Sequence, residues 1–138
     1  MEFSVWSAGS RVDAVSTAST DDFYYFRDSV HAALEDGEFG SRFPLFMRRF
    51  EPDEWRAEEV AALQGELEAI AEAFRRLPPV PLDAHWESRA AASGTACESL
   101  YDVFVDAGGH PLLGRLIELC RAARRVKAPI VKIGRAHV

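Results

Sequence analysis

The sequence predicts an α+β domain, with three main helices packed on a small mixed β-sheet. Three observations carry this reading. Val60, Leu63, Leu67, Ile70, Phe74 and Leu77 recur three and four residues apart, forming one stripe of a helix over residues 53–77. Short alternating or β-branched runs near both ends of the chain have the period of strands. A length of 138 residues suits a single domain with one core.

Taken in order, Phe3 and Val5 alternate with Ser4 and Trp6, Ala8-Gly9-Ser10 reads as a turn, and Val12 to Ser16 alternates again. Residues 2–7 and 11–17 therefore form a hairpin. Thr20 is a good helix N-cap, and Asp21 and Asp22 suit the positive end of the helix dipole. The first helix runs from there to Glu35. It buries Phe23, Phe26, Val30, Ala33 and Leu34, and Asp36-Gly37 ends it. Residues 39–50 hold four phenylalanines and three arginines. Aromatic and basic interleaving is also found on nucleic-acid surfaces, but Phe43, Phe46, Met47 and Phe50 have helical spacing and are expected to pack inward. Pro44 opens a short turn there, and Trp55 packs back onto this stretch.

The long helix from Asp53 leaves Glu58, Glu59, Glu66, Glu68 and Glu72 on an acidic face in water. Gly65 lies on that solvent side, and Glu72 pairs with Arg76 one turn on. Pro78-Pro79-Val80-Pro81 stops the helix. Residues 82–99 read as a loop with one poorly formed helical turn. Leu100 to Asp106 is β-branched and aromatic and reads as a strand. Gly108-Gly109 turns the chain, and Pro111 opens a helix to Arg125 whose wide apolar face lies across the sheet. Pro129-Ile130-Val131 begins a last strand, giving a strand–helix–strand unit with a parallel, right-handed crossover. The domain is read as residues 1–132. The last six residues, 133–138, look like the translation of a short sequencing adapter and are left out of the fold.

The net charge of −6 is unevenly spread: residues 1–100 carry −10 and residues 101–138 carry +4. An acidic body disfavours nonspecific nucleic-acid binding, which depends on neutralising phosphates, and suits a basic partner. There is no apolar run long enough for a membrane span, and the N-terminus lacks a signal-peptide pattern, so a cytoplasmic protein is expected. Cys97 and Cys120 lack metal-type spacing and read as two thiols in a reducing compartment. No nucleophile elbow, zinc motif or phosphate loop is present. Cys97, Asp106 and His110 are the residue types of a thiol triad, but nothing in their spacing brings them together. No catalytic group, metal or cofactor is expected.

Several stretches resemble the immunity protein 70 family of bacterial polymorphic toxin systems over residues 20–131. They are Phe26-Arg27-Asp28, Gly40-Ser41-Arg42-Phe43-Pro44, Glu54-Trp55, the run from Ala73 to Pro81, Leu100-Tyr101 and the run from Pro111 to Cys120. Pro129-Ile130-Val131 resembles that family's closing strand. The resemblance implies a small cytoplasmic α+β protein, encoded beside a toxin and binding it to protect the producing cell; the expected mechanism is stoichiometric occlusion. It brings no catalytic residue and no cofactor. A basic, nuclease-type toxin would suit an acidic partner, which puts Asp28, Glu35, Glu58, Glu68 and Glu72 at the expected interface. The competing surface is the aromatic stretch, with Arg42, Phe43, Trp55 and Trp86. The alternative of another class is a small-ligand-binding or enzymatic domain whose pocket is lined by Trp6, Tyr25, Trp55 and Trp86. A homodimer is a third possibility, and the sequence leaves the oligomeric state open.

Overall fold

A computed structural model describes residues 1–48, 53–79 and 97–133. Residues 82–96 of the loop read over 82–99, with His85 and Trp86, lie outside them, as do Phe50 and residues 134–138.

Strands β1 (Glu2–Ser7) and β2 (Ser10–Ser16) form the expected hairpin. Its turn residues Ala8 and Gly9 both have positive φ, 52° and 79°. That is the twist a two-residue hairpin needs. Strand β3 is short, Glu54–Trp55, and β4 spans Ile130–Ile133. The sheet order is β2-β1-β4-β3, and every pairing is antiparallel, with Ser4 opposite Val131 and Trp55 opposite Ile130. The α+β architecture stands, but the expected mixed sheet and parallel crossover do not form.

The reason lies in residues 100–106. Ser99 and Asp102 form a capping box, which starts the one-turn helix α3 (Leu100–Val103). Val105 then makes a single bridge to Pro111 rather than a strand. The apolar run Leu100, Val103 and Phe104 is buried in the core from a helical turn, where β-propensity had suggested alternation.

The first helix, α1, spans Thr20–Leu34 and is capped by the Ser19 side chain, one residue before the expected cap. The long helix begins later than expected. Residues 54–55 join the sheet, a 3-10 turn covers Ala57–Glu59, and α2 runs over Val60–Arg75. Its stripe Val60, Leu63, Leu67, Ile70 and Phe74 is buried as read. The last helix, α4 (Leu112–Val126), packs across β1, β2 and β4, with α2 against its side. Lys127 ends it in the left-handed conformation, and Ala128 N–H reaches back to the Ala123 carbonyl. Arg115, near its start, ties it to the hairpin through Asp13 Oδ1 and the Ala14 carbonyl, both at 3.0 Å.

Opposite residues of an antiparallel pair share a face, so Phe3, Val5, Trp55 and Ile130 all meet the helices. The core is a chain of rings: Trp55 stacks on Phe3 (5.4 Å) and Phe46 (6.4 Å), and Phe26 meets Phe46, Phe74 and Phe104. Trp6, on the opposite face of β1, is half-exposed and donates to Ser4 Oγ. Cys120 sits among the α4 core residues, and burial pushes its thiol up to about 12, which leaves it unreactive.

Gly65 faces open space within α2, with nothing near an added Cβ. Gly65→Ala should therefore stabilise the fold by about 0.5–1 kcal/mol, because a helix interior favours alanine by that amount. A thermal melt checks this. A lower melting temperature would mean that the outer face of α2 is not open.

Candidate functional site

The segment from Asp36 to Arg48 has little regular structure, yet side chains hold five of its backbone N–H groups. Two carboxylates hold its N–H groups. Glu35 accepts from Gly40 N (2.9 Å), Arg42 N (3.0 Å) and Phe43 N (3.0 Å), and it pairs with His31 Nδ1 at 2.9 Å. Glu66, reaching over from α2, accepts from Leu45 N (3.2 Å) and Phe46 N (2.9 Å). Pro44, between the two sets, has no N–H to satisfy. Gly40 adopts φ +88°, which puts its N–H on the carboxylate and would strain any side chain. Phe43, Phe46 and Met47 are thereby driven into the core, and Met47 N closes a turn on the Phe43 carbonyl.

Carbonyls of the same segment are held by Arg27 and by an indole, and Arg48 ties the segment to β3. Arg27 Nη2 donates to the Met47 and Arg48 carbonyls, Arg48 donates to the Glu54 carbonyl, and Trp55 Nε1 donates to the Leu45 carbonyl at 2.8 Å. Burial of Glu35 works against its ionised form. The hydrogen bonds from His31, Gly40, Arg42 and Phe43 outweigh that and hold it below the ordinary carboxylate range. For Glu66 burial wins: its pKa is raised, against the pull of the Phe46 and Leu45 N–H groups and with a further push from the Glu35 charge.

Between α1 and this segment lies an open groove of about 960 Å³. Tyr24 and Phe39, both half-exposed, stand on its walls with Asp28 and Glu38. Arg27 and Met47 form its floor, and Pro44, Arg48 and Lys132 complete the lining. Exposed aromatics beside arginine are the composition of protein-binding hot spots. A second, smaller cavity of about 290 Å³ lies by Asp22, Tyr25, Phe104, Asp106 and Leu112.

The structure redistributes the residues singled out from the sequence. Glu35 is buried and holds the loop, so it leaves the set of surface acids. Glu66 is half-buried for the same kind of reason, and Glu59 is largely covered in its pairs with Arg48 and Arg56. Asp28 is exposed on the groove, apart from Glu58 in the 3-10 turn before α2 and from Glu68 and Glu72 on the outer side of α2. Those three are not bare. Glu58 lies 3.5 Å from Arg56, Glu68 lies 3.9 Å from Arg121 of α4, and Glu72 pairs with Arg76 at 2.6 Å. The basic end of the chain thus folds onto its acidic middle.

Of the competing set, Phe43 and Trp55 are core residues and offer no surface. Arg42 is exposed, stacks on the Phe43 ring at 5.1 Å and donates to the Leu34 carbonyl. The aromatic pocket does not assemble from its described members. Tyr25 lines the smaller cavity, Trp55 is in the core, and Trp6 is on the far face of β1. Asp106 Oδ1 accepts from Gly108 N and His110 N, so it serves a turn, with His110 Nδ1 3.4 Å away and exposed. The groove itself was missed. The available signal was Arg27, an arginine at helical spacing beside Phe23 and Phe26 on the buried side of α1.

Among the described residues no group of three His, Cys, Asp or Glu is placed to hold a metal ion, and no helix is long and apolar enough to cross a membrane. No curated protein and no solved structure matches the chain. A family profile described as Immunity protein 70 matches residues 10–132, from the start of β2 to within β4. That span takes in every element that builds the groove and the loop beside it, and the chain belongs to the immunity protein 70 family.

Proposed function

We propose that this protein binds a cognate bacterial toxin and neutralises it by stoichiometric occlusion, with the groove between α1 and residues 38–48 at the centre of the interface. Family membership over residues 10–132 is the observation that carries the neutralising role. The choice of surface is supported by the exposed Tyr24 and Phe39 around an arginine floor, on a loop whose backbone is fixed in advance. A loop ordered before binding loses little entropy on association. Asp28 and Glu38 on the rim give a basic toxin its complement there.

Glu58, Glu68 and Glu72 act at longer range in this reading, steering a basic partner toward the protein. Each is exposed and partly offset by an arginine, so their contribution is to the association rate rather than to the lifetime of the complex. The double variant Glu68→Lys/Glu72→Lys should slow association about tenfold or less at low salt, with the difference shrinking as salt is added and the dissociation rate unchanged. Binding kinetics over a salt series check this. An unchanged association rate would remove the α2 acids from the interaction.

The neutralising role is tested by inducing the toxin gene that neighbours this one in a bacterial host, with and without residues 1–132. Survival only with this protein, and copurification of one copy of each, is the expected result. Killing despite folded protein would overturn it and return attention to the smaller cavity beside Tyr25.

A further inference from the structure

Arg27 is the least expected residue in the molecule. It is 6% exposed, yet no carboxylate among the described residues lies within ion-pair distance of it. The other two cations of the groove each have one: Arg48 Nη1 is 2.7 Å from Glu59, and Lys132 Nζ is 3.3 Å from Asp53. Among the described residues, Arg27 donates only to carbonyls, both through Nη2, and lies over the faces of Phe39 and Phe23 at 5.2 and 5.7 Å. Its Nε is buried with no acceptor among the described residues. Burial lowers the pKa of Arg27, and the charge of Asp28 on the rim offsets this only in part, through space; a buried guanidinium so weakly compensated is costly, since removing a charge from water is ordinarily offset by direct pairing. A site that keeps such a charge on the floor of an open groove is prepared for an anion.

We infer that the groove receives a carboxylate side chain of the toxin, an Asp or Glu, which pairs with Arg27 between the rings of Tyr24 and Phe39. This rests on the toxin-binding reading above and specifies its chemistry. The polarity is layered. Asp28 and Glu38 on the rim favour the basic surroundings of the toxin's contact surface, while the floor takes one acidic residue within it. Such an arrangement rejects partners that are uniformly basic or uniformly acidic, because either would leave one layer unpaired. Phe39 also covers the guanidinium from solvent, which strengthens the pair once it forms.

The test uses the toxin encoded beside this gene, bound to the full chain. The wild-type arm comes first: absence of any complex there overturns the toxin-binding reading, and this inference falls with it. Given a complex, Arg27→Gln should weaken binding about 30-fold or more, since it leaves the toxin carboxylate buried and unpaired. Phe39→Ala and Tyr24→Ala should each weaken it about tenfold as wall residues of a hot spot. One Asp or Glu of the toxin, replaced by Asn or Gln, should cost as much as Arg27→Gln and add nothing to it in a double-mutant cycle. Folded Arg27→Gln that binds within about twofold of wild type would overturn the inference while leaving toxin binding intact. Should Arg27→Gln fail to fold, the toxin-side replacements decide against the wild-type chain. If none of them weakens binding by about tenfold, the inference is wrong.

Discussion

Glu35→Ala should cost roughly 3 kcal/mol of stability and abolish toxin binding, although residue 35 touches no toxin in the proposed complex. Its carboxylate is the shared acceptor for Gly40, Arg42 and Phe43 N–H, and the Phe43 bond is fully buried. Alanine leaves those donors without a partner, and the buried one cannot turn to water. The loop that carries Phe39, Pro44 and Met47 then loses its reference frame, and the groove goes with it. Glu35→Gln should be milder, because the amide oxygen keeps part of the acceptor capacity while its NH2 faces donors.

The pH dependence has a defined sign. The folded-state pKa of Glu35 lies below the ordinary 4.5, so at pH values beneath 4.5 the unfolded chain binds the proton first. The stabilisation is complete above that value and is lost as pH falls through the lowered folded pKa. Glu66 works the other way. Its raised pKa means the folded state takes up its proton first, so stability falls as pH rises above 4.5 toward that raised value. Urea melts across the acid range check both points: wild type should lose stability more steeply than Glu35→Gln below pH 4.5. Parallel curves would mean that Glu35 does not hold the loop.

The periodic elements were legible in the sequence because their signal is local. The α2 stripe, the α1 stripe and the hairpin turn follow from residues within one or two turns of one another. Residues 100–106 misled because Val103, Phe104 and Val105 suit a strand, whereas the Ser99–Asp102 capping box selects a helix. The parallel crossover fell with that strand. The site was harder to see for a different reason. An acid is read as solvated unless a partner is visible, and the partners of Glu35 and Glu66 are backbone N–H groups, which every residue except proline possesses. Nothing about Gly40, Arg42, Phe43, Leu45 or Phe46 marks their amides as unsatisfied until the loop is folded.

Charge segregation misled in the same way. The −10 of the first hundred residues suggested one acidic face, but α4 lays Arg121 beside Glu68 and Arg124 beside Gln64. What remains is a mixed surface on α2 and a separate group, Asp28 with Glu38, on the groove. Linear charge counts cannot anticipate which helices become neighbours. They suggest what charge a partner would complement, without locating any contact.

Phe26→Ala should be the most destabilising single core substitution proposed here, at about 3–5 kcal/mol, and it separates folding from binding. Phe26 is fully buried and touches Phe104 at 4.9 Å, Phe46 at 5.6 Å and Phe74 at 6.2 Å between ring centroids. Those three rings come from the segment after α3, the carboxylate-held loop and α2. One side chain therefore joins three parts of the chain that share no continuous element. Truncation forfeits the transfer energy of the ring, leaves a cavity, and removes aromatic edge contacts worth about 0.5–1.5 kcal/mol each. For a chain of this length, the melting temperature should fall by roughly 10–20 °C. Phe26→Leu keeps most of the volume and should cost about half as much or less. Arg27, the next residue, points into the groove from the same turn of α1. Well below its melting point, Phe26→Ala should therefore bind toxin almost as wild type does, whereas Arg27→Gln should melt closer to wild type and bind poorly. If both substitutions lowered affinity and stability in proportion, the groove would be a consequence of core packing with no recognition role of its own, and the contact with toxin would lie elsewhere.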